Sequence, residues 1–465
     1  MFSSRKTAAP SSGGYNLTKS LRFRSSASAS LSRTFGTPTN NLKWTYSGWI
    51  KRGAIGSGVS ATMLGSALGG ASTYFMALYN GDALDFAQIT GGTVVGRLTS
   101  TALYRDPAAW YHVVLVWDSA NATAANRMLM YVNGVQVTSF STNTNPSSSL
   151  ACSFNQAGTN VIGYRNYASD NYFDGYLAEQ NFIDGQALTP SSFGSTNALT
   201  GVWQPTKYTG TYGNNGFYLP FTNITSTSTL GNDSSGNGNN WTTNNFSLTA
   251  GSTYDSMTDV PTLTSATTAN YAVINPLWNS SNTNGTINDG NLKVTPAGSN
   301  LYCNSASSIA MPLSGYSYVE FTCLSNGGAS NNNMIGIIPS TSTALSNTSY
   351  YGSTSNTYGY LDGGSVRNNS STTQTVASYT TGDVISVAYG NGKLWFAKNG
   401  VWQGSGSPNP ATATSPFYSG LTNDMFVGLT TYSSPSGATW GVNFGQQPFT
   451  YTPPTGYVAL NTYNL

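Results

Sequence analysis

The chain has 465 residues and a mass of 48.9 kDa, which is room for two or three domains. Only 7 % of the residues are charged, 18 Lys and Arg against 16 Asp and Glu with one His, for a net charge of +2. That composition excludes a long charged coiled coil and an acidic or basic disordered tail. Glu and Lys are scarce, so little helix-forming material is present; Ser, Thr, Asn, Gly and Tyr dominate, the residues of strands and turns.

The charges are unevenly placed. Nine of the 18 basic residues lie within residues 1–52, and no acid precedes Asp82. The rest of the chain holds 9 basic and 16 acidic residues, a net −7. A basic amino-terminal stretch can dock on an acidic surface or touch nucleic acid, and it can equally be the solvated start of a domain. A dedicated nucleic-acid binder needs a broad basic face, so nucleic acid is the weaker partner. The first 30 residues hold no apolar segment of signal-peptide length, and no apolar run approaches the ~18 residues of a membrane helix. A chain assembled in a reducing cytoplasm, without membrane insertion, is expected. Cys152, Cys303 and Cys323 are odd in number and lack Cys-x-x-Cys spacing. Cys303 and Cys323 could pair, but buried free thiols are the better reading.

Residues 1–14 are polar and read as an extended basic arm, with Arg5, Lys6 and Lys19 as candidate anchoring cations. From Tyr15 the chain turns strand-rich. Leu42-Lys-Trp-Thr-Tyr-Ser-Gly-Trp-Ile50 alternates, 74–79 is a second candidate, and Trp110-Tyr-His-Val-Val-Leu-Val-Trp117 is the strongest strand signal. Residues 127–137 contain two β-rich runs around Asn133-Gly134, the signature of a hairpin with a type I′ turn. Further strands are expected at 161–164 and 172–183, then a helical turn with Thr189 as N-cap and Pro190 at its first position. Residues 201–262 are rich in Gly, Asn and Ser but carry Phe217, Tyr218, Phe221, Trp241 and Phe246. They read as a connector wrapped over the domain at 15–200. The region 263–465 offers strands at 316–323, 334–338, 384–389, 393–398 and 425–431, with a second Asn-Gly hairpin at Asn399-Gly400. Short strands, frequent turns and few helices predict an all-β chain of two tandem antiparallel β-sandwiches of jelly-roll type.

Several motifs carry a family resemblance. Ser20-Leu-Arg-Phe23, Trp44-Thr-Tyr-Ser-Gly-Trp49, Trp110-Tyr-His112, Tyr131-Val-Asn-Gly134 and Asp174-Gly-Tyr-Leu-Ala-Glu179 resemble the concanavalin A-like, laminin-G-like jelly roll of many bacteriophage proteins. Thr381-Gly-Asp-Val-Ile385, Leu394-Trp-Phe-Ala-Lys-Asn-Gly400 and Asn443-Phe-Gly-Gln-Gln-Pro-Phe449 resemble a SPRY-type sandwich. Tyr451-Thr-Pro-Pro-Thr-Gly-Tyr457 resembles the ends of phage proteins carrying this pair. The resemblance implies a virion surface protein.

Catalytic signals are sparse. Glycoside hydrolysis normally takes two carboxyls about 5–10 Å apart. The only glutamates, Glu179 and Glu320, fall in different predicted domains, and the Glu-x-Asp-x-x-Glu pattern of jelly-roll glucanases is absent. His112 sits mid-strand without a nucleophile-elbow motif and reads as structural. Phosphate loops, dinucleotide fingerprints and zinc or iron clusters are missing. No cofactor is required, although laminin-G-like folds often hold Ca²⁺, for which Asp82, Asp85, Asp118 and Asn121 offer suitable oxygens; turn-forming preference explains the same residues equally well. Tyr350, Tyr351 and Trp402 are the candidate ligand contacts, since glycans bind on aromatic faces. Tyr358 and Tyr360 read as strand packing.

The expected function is that of a non-enzymatic phage virion surface protein, of head- or tail-fibre type, anchored by its arm and adhering to host or environmental glycans. The alternative is a capsid decoration protein with a structural role, and glycan hydrolysis is a weak third. Its partners would be capsid or tail proteins and copies of itself, a trimer by analogy with fibres.

Overall fold

The computed structural model describes residues 14–56, 58–278, 285–297, 301–327, 333–432 and 437–465. It is all-β: strands, seven short 3₁₀ turns and no α-helix among the described residues. None of their helices is long and apolar enough to cross a membrane. The chain divides into two compact units, Ser11–Leu248 with Thr253–Thr264, and Thr249–Ser252 with Ser265–Leu465.

The first unit is two stacked eight-stranded sheets. One runs from edge to edge through Val135–Gln136, Met128–Val132, Trp110–Asp118, Lys43–Arg52, Gly175–Asp184, Ser20–Phe23 and Ser256–Met257, with Phe217–Leu219 also on Gly175–Asp184. The other runs through Phe140–Thr144, Thr93–Leu103, Ala83–Thr90, Tyr74–Asn80, Ser60–Ser66, Gly158–Ile162, Ser30–Phe35 and Thr242–Asn244. The period-two alternation sends Val113, Leu115 and Trp117 inward, where they join Trp44, Tyr46, Phe86 and Phe154 in the core. Val114 and Val116 point outward yet are buried too, under Phe193, Tyr208, Tyr212 and Tyr218. Double coverage explains the near-continuous apolar run of this strand. The turn at Asn133-Gly134 has φ of 49° and 80°, the two left-handed residues a type I′ hairpin requires. Thr189 occupies the N-cap position of a 3₁₀ turn at Pro190–Ser192, without a capping hydrogen bond from its side chain.

Residues 201–262 do more than wrap. Phe217–Leu219, Thr242–Asn244 and Ser256–Met257 each add a strand to a sheet of the first unit. Buried ion pairs fix the last of these segments. Asp255 accepts from Arg22 (3.2 Å) and Arg24 (2.8 Å), and Asp259 accepts from Lys51 (2.7 Å) and from the Trp110 indole (3.0 Å). Lys51 and Asp259 are both wholly enclosed.

The second unit also stacks two sheets. Its eight-stranded sheet centres on Tyr316–Ser325, flanked by Val384–Gly390 and Thr439–Asn443; its six-stranded sheet runs Tyr302–Ala306, Met425–Tyr432, Asn333–Pro339, Tyr358–Leu361, Ser365–Asn368 and Ser371–Thr375. Val319, Phe321, Ile385, Val387 and Phe396 are buried on one sheet, Ile335, Ile337, Val427 and Tyr360 on the other. The Tyr360 and Phe396 rings meet at 5.7 Å. The Asn399-Gly400 turn repeats the type I′ geometry, with φ of 49° and 78°. All three cysteines are buried and none forms a disulfide, and burial pushes the thiols of Cys152, Cys303 and Cys323 up to about 12.

Candidate functional site: a polar groove on the first sandwich

Strand alternation puts Val116 and Asp118 on one outward face of Trp110–Asp118. The register sets Val116 opposite Leu129, Val114 opposite Tyr131, and Tyr131 opposite Gln136 across the hairpin. The 119–127 loop and residues 187–189 stand at the sides. Together they enclose a groove of about 380 Å³, with Asp118, Asn121, Asn126, Gln136 and Thr189 as polar lining and Val116, Leu129, Tyr131 and Leu188 as apolar lining. That volume suits a small ligand, and an apolar bed with a few converging polar groups is the usual form of a binding site.

The loop is held in place from within. The Arg127 guanidinium donates to the carbonyls of Asn121 (2.9 Å), Pro146 (2.9 Å) and Ala122 (3.5 Å). Asn121 Oδ1 accepts from the Thr123 N–H, and the Asn121 N–H donates to the Asp118 carbonyl. Asp118 forms an ion pair with Lys43 at 3.3 Å through Oδ2, while its Oδ1 is buried without a donor. Asp118 is the only carboxylate in the lining. The groove therefore offers hydrogen bonds to hydroxyls and an aromatic side wall, but not the two carboxyls of glycoside hydrolysis.

The four residues considered for Ca²⁺ are not brought together. Asp82 pairs with Arg52 and Arg105, both at 2.9 Å. Asp85 is taken by a bidentate Arg97 and by Thr99. Arg52 and Lys43 mark opposite ends of a ten-residue strand, so Asp82 and Asp118 are about 30 Å apart at ~3.3 Å per residue. Burial opposes the charge on Asp82, but the Gly56 N–H and the two guanidiniums outweigh it and hold the carboxyl below its ordinary range. Among the described residues no group of three or more His, Cys, Asp or Glu could hold a metal ion. The proposed oxygen set does not fit a calcium ion.

Of the aromatic candidates, Tyr351 is a core residue. It is fully buried, donates to the Ser305 carbonyl at 2.9 Å and lies against Gly336, Gly359 and Gly428. Those glycines stand in register across three adjacent strands and leave a trough that any side chain would fill. Tyr350 and Trp402 are half-buried on different sheets. Tyr350 lies on the outer side of the six-stranded sheet, whereas Trp402 packs against the cluster of Tyr318, Ala388, Trp395 and Tyr457 on the eight-stranded one. Tyr358 packs on Tyr418 with tilted rings 4.6 Å apart, and Tyr360 is buried. Lys19 is half-buried just before Ser20–Phe23; Arg5 and Lys6 lie outside the described residues.

His112 is structural. Ser47 Oγ lies 2.8 Å from its Nε2, a spacing that looks like a nucleophile and its base. The Trp203 indole can only donate, and it donates to His112 Nδ1 at 3.0 Å. Nε2 therefore carries the proton and donates to Ser47, so the ring cannot take the serine's proton. Burial pulls the imidazole down to about 3. A second perturbed group is Glu179, which sits at φ 54° in an irregularity of Gly175–Asp184. Burial pushes its carboxyl up to about 7 against the opposing pull of Tyr15, Tyr218 and Lys207. Tyr218 donates to it at 2.9 Å and meets Tyr15 at 2.6 Å.

Residues 24–192 match the family model of the concanavalin A-like lectin/glucanase superfamily, in its laminin-G form. The match covers the groove-bearing strands and 169 of the 465 residues. The fold is thus lectin-like over that stretch. Among solved structures, domains LG4-5 of the mouse laminin α1 chain are similar at 11 % identity and TM-score 0.31, covering 96 % of this chain and 92 % of that one. The SPRY domain of human HERC1 is similar at 15 % identity and TM-score 0.28, over 34 % of this chain and 91 % of that one. A heptameric SAP-like pentraxin from Limulus polyphemus is similar at 17 % identity and TM-score 0.28, over 38 % and 80 %. No curated protein sequence matches the chain.

The sequence pattern singles out Asp118 and Asn121 as calcium oxygens, whereas the structure sets them in the groove lining, and it passes over Tyr131, Gln136 and Thr189 there. A signal for the first two of these was present: a type I′ turn at Asn133-Gly134 forces Tyr131 and Gln136 opposite each other on one face.

Proposed function

We propose that the protein is a non-enzymatic recognition protein of a bacteriophage virion surface, anchored by its amino-terminal arm, whose first sandwich binds cell-surface or environmental glycans. The observation that carries the glycan reading is the groove at Asp118 and Tyr131, on a stretch with a lectin-like family match. Its amides, hydroxyl and single carboxylate suit the vicinal hydroxyls of a sugar, and its aromatic and aliphatic wall suits the sugar's C–H faces. The phage setting rests on the motif resemblances, and the low charge with abundant Ser, Thr and Asn fits an exposed coat. Head- or tail-fibre display is favoured over capsid decoration because decoration alone needs no such groove.

Two measurements test this. On a glycan array, the full chain is expected to bind a defined set of sugars, and Tyr131→Ala to lose them at least tenfold; absence of binding removes the glycan reading. Antibody against residues 263–465 on purified virions, viewed by electron microscopy, is expected to label particles. Tail label supports host adhesion, head label supports head-fibre or decoration roles, and unlabelled particles overturn the surface reading.

A further inference from the structure

Arg367 is the only arginine of residues 265–465. It lies in Ser365–Asn368, opposite Gly359 and so on the same outward face as Gly336, Gly428 and Tyr351. Every Asp and Glu of the chain falls among the described residues, and Arg367 pairs with none of them. Its Nε is buried without an acceptor, and one terminal nitrogen donates only a long 3.4 Å bond to the Tyr350 hydroxyl. Leaving the Nε–H in this state is costly, because that donor loses water without gaining an acceptor.

What surrounds it is aromatic. Tyr350 packs on Tyr302 with ring centroids 5.2 Å apart, and Tyr302 packs on Tyr432 at 5.0 Å. Tyr302 and Tyr432 are directly opposed across neighbouring strands, so both rings stand on the same outward face. The charge of Arg367 is felt at the Tyr302 hydroxyl. All four side chains are half-buried. The loop that carries Tyr350 is seated by Tyr351 in its glycine trough, and the Gly352 backbone passes against Arg367 with no room for a side chain. The cradle is thus fixed on both sides.

We propose that Arg367 with Tyr302, Tyr350 and Tyr432 forms a second binding site, for a glycan residue that bears a carboxylate. The guanidinium fork matches a carboxylate in a bidentate pair, and the tyrosine faces supply the bed for the ring beside it. The charge count selects a monoanion. Of the other cations in this unit, Lys293 and Lys398 are each paired with an aspartate, and Lys393 reaches only the Ala413 carbonyl. A phosphate dianion or a nucleic-acid backbone would find one positive charge where it needs several. The site deepens the glycan-binding reading but is independent of the groove on the first sandwich.

The test uses the full chain with 3′-sialyllactose and a hyaluronan tetrasaccharide as acidic probes, and with lactose and the methyl ester of 3′-sialyllactose as neutral ones, by calorimetric or NMR titration. At least one acidic probe is expected to bind, which also tells a sialic from a uronic acid. For sialyllactose, neutralising the carboxylate as the ester should weaken binding at least tenfold, with no change to the protein. Arg367→Gln should abolish the preference for acid, while Tyr131→Ala on the first sandwich should leave it intact. Failure of both acidic probes, equal affinity for acid and ester, or an unchanged preference in Arg367→Gln overturns the proposal. Loss of acidic binding in Tyr131→Ala alone assigns the affinity to the groove and overturns it equally. A neutral glycan that still binds in a Tyr131-dependent way would leave the first reading standing when this one has failed.

Discussion

The two sandwiches handle charge in opposite ways. The first encloses it: Arg22, Lys51, Arg52, Asp82, Asp255 and Asp259 are all buried, and each is paired. The second buries few charges and is held by tyrosine and tryptophan packing, such as Tyr360 between Tyr379 and Phe396, and Tyr379 on Trp440. Ion pairs in the first unit staple distant segments, since Asp255 and Asp259 hold residues 253–264 against strands more than 200 positions away. No such staple occupies Arg367. A charge locked in a buried pair is spent on architecture; one left among aromatic rings is free to meet a ligand.

The sharpest way to break that comparison is to unpair the staple. Asp259→Asn leaves Lys51 buried without its counter-charge, and removing one partner of such a pair costs about 3–5 kcal/mol. Peptide-resolved hydrogen exchange should show protection falling in residues 14–264 and unchanged beyond 265. Next in size is Tyr351→Ala, which empties the trough over Gly336, Gly359 and Gly428. Large-to-small changes of buried aromatics cost about 3–5 kcal/mol, and the lower end applies because the loop above can settle. Here the exchange should rise in the second unit alone. If either variant loosens both units together, the contrast in how they are held is wrong.

These sites also show what a sequence makes legible. The strands and hairpins were legible because alternation, β-branched runs and Asn-Gly turns are local signals. The basic amino-terminal stretch was not, because its meaning is long-range: Arg22, Arg24, Lys51 and Arg52 read as a docking surface or a solvated face until their acids arrive from Asp82, Asp255 and Asp259. Tyr351 misled for a related reason. Its burial depends on three glycines on three strands, which come into register only in the folded sheet. Asp82 and Asp85 look like ligands in a turn, and only the fold reveals the arginines that consume them.

A third prediction uses pH. The Glu179 carboxyl rises from an ordinary 4.5 to about 7 in the folded protein. The folded state therefore binds the proton more tightly than the unfolded one. The stabilisation is fully present below about 4.5, declines as pH rises, and is gone above about 7. About 2–3 kcal/mol is expected between pH 5 and pH 8.5, since each tenfold gain in proton affinity corresponds to ~1.4 kcal/mol. Melting of the first unit at pH 5 and pH 8.5 should differ accordingly, and Glu179→Gln should flatten the difference. The second unit should show a weaker slope of the same sign, because burial raises Glu320 as well while the backbone N–H groups of Thr450 and Tyr451 that its carboxylate accepts from hold part of that rise back.

The smallest effect belongs to the pair that most resembles a catalytic dyad. Ser47→Ala removes the acceptor of the His112 Nε2–H and leaves that donor buried, which costs about 1–2 kcal/mol. The indole of Trp203 still holds Nδ1, so the ring keeps its place between Trp49 and Trp203, whose centroids lie 5.0 and 5.9 Å away. Glycan binding should be unchanged in Ser47→Ala, because neither residue lines the groove. A loss of binding without a loss of stability would give Ser47 a role at a ligand and reopen the dyad. A stability loss with binding intact is what a buried hydrogen bond between two structural residues requires.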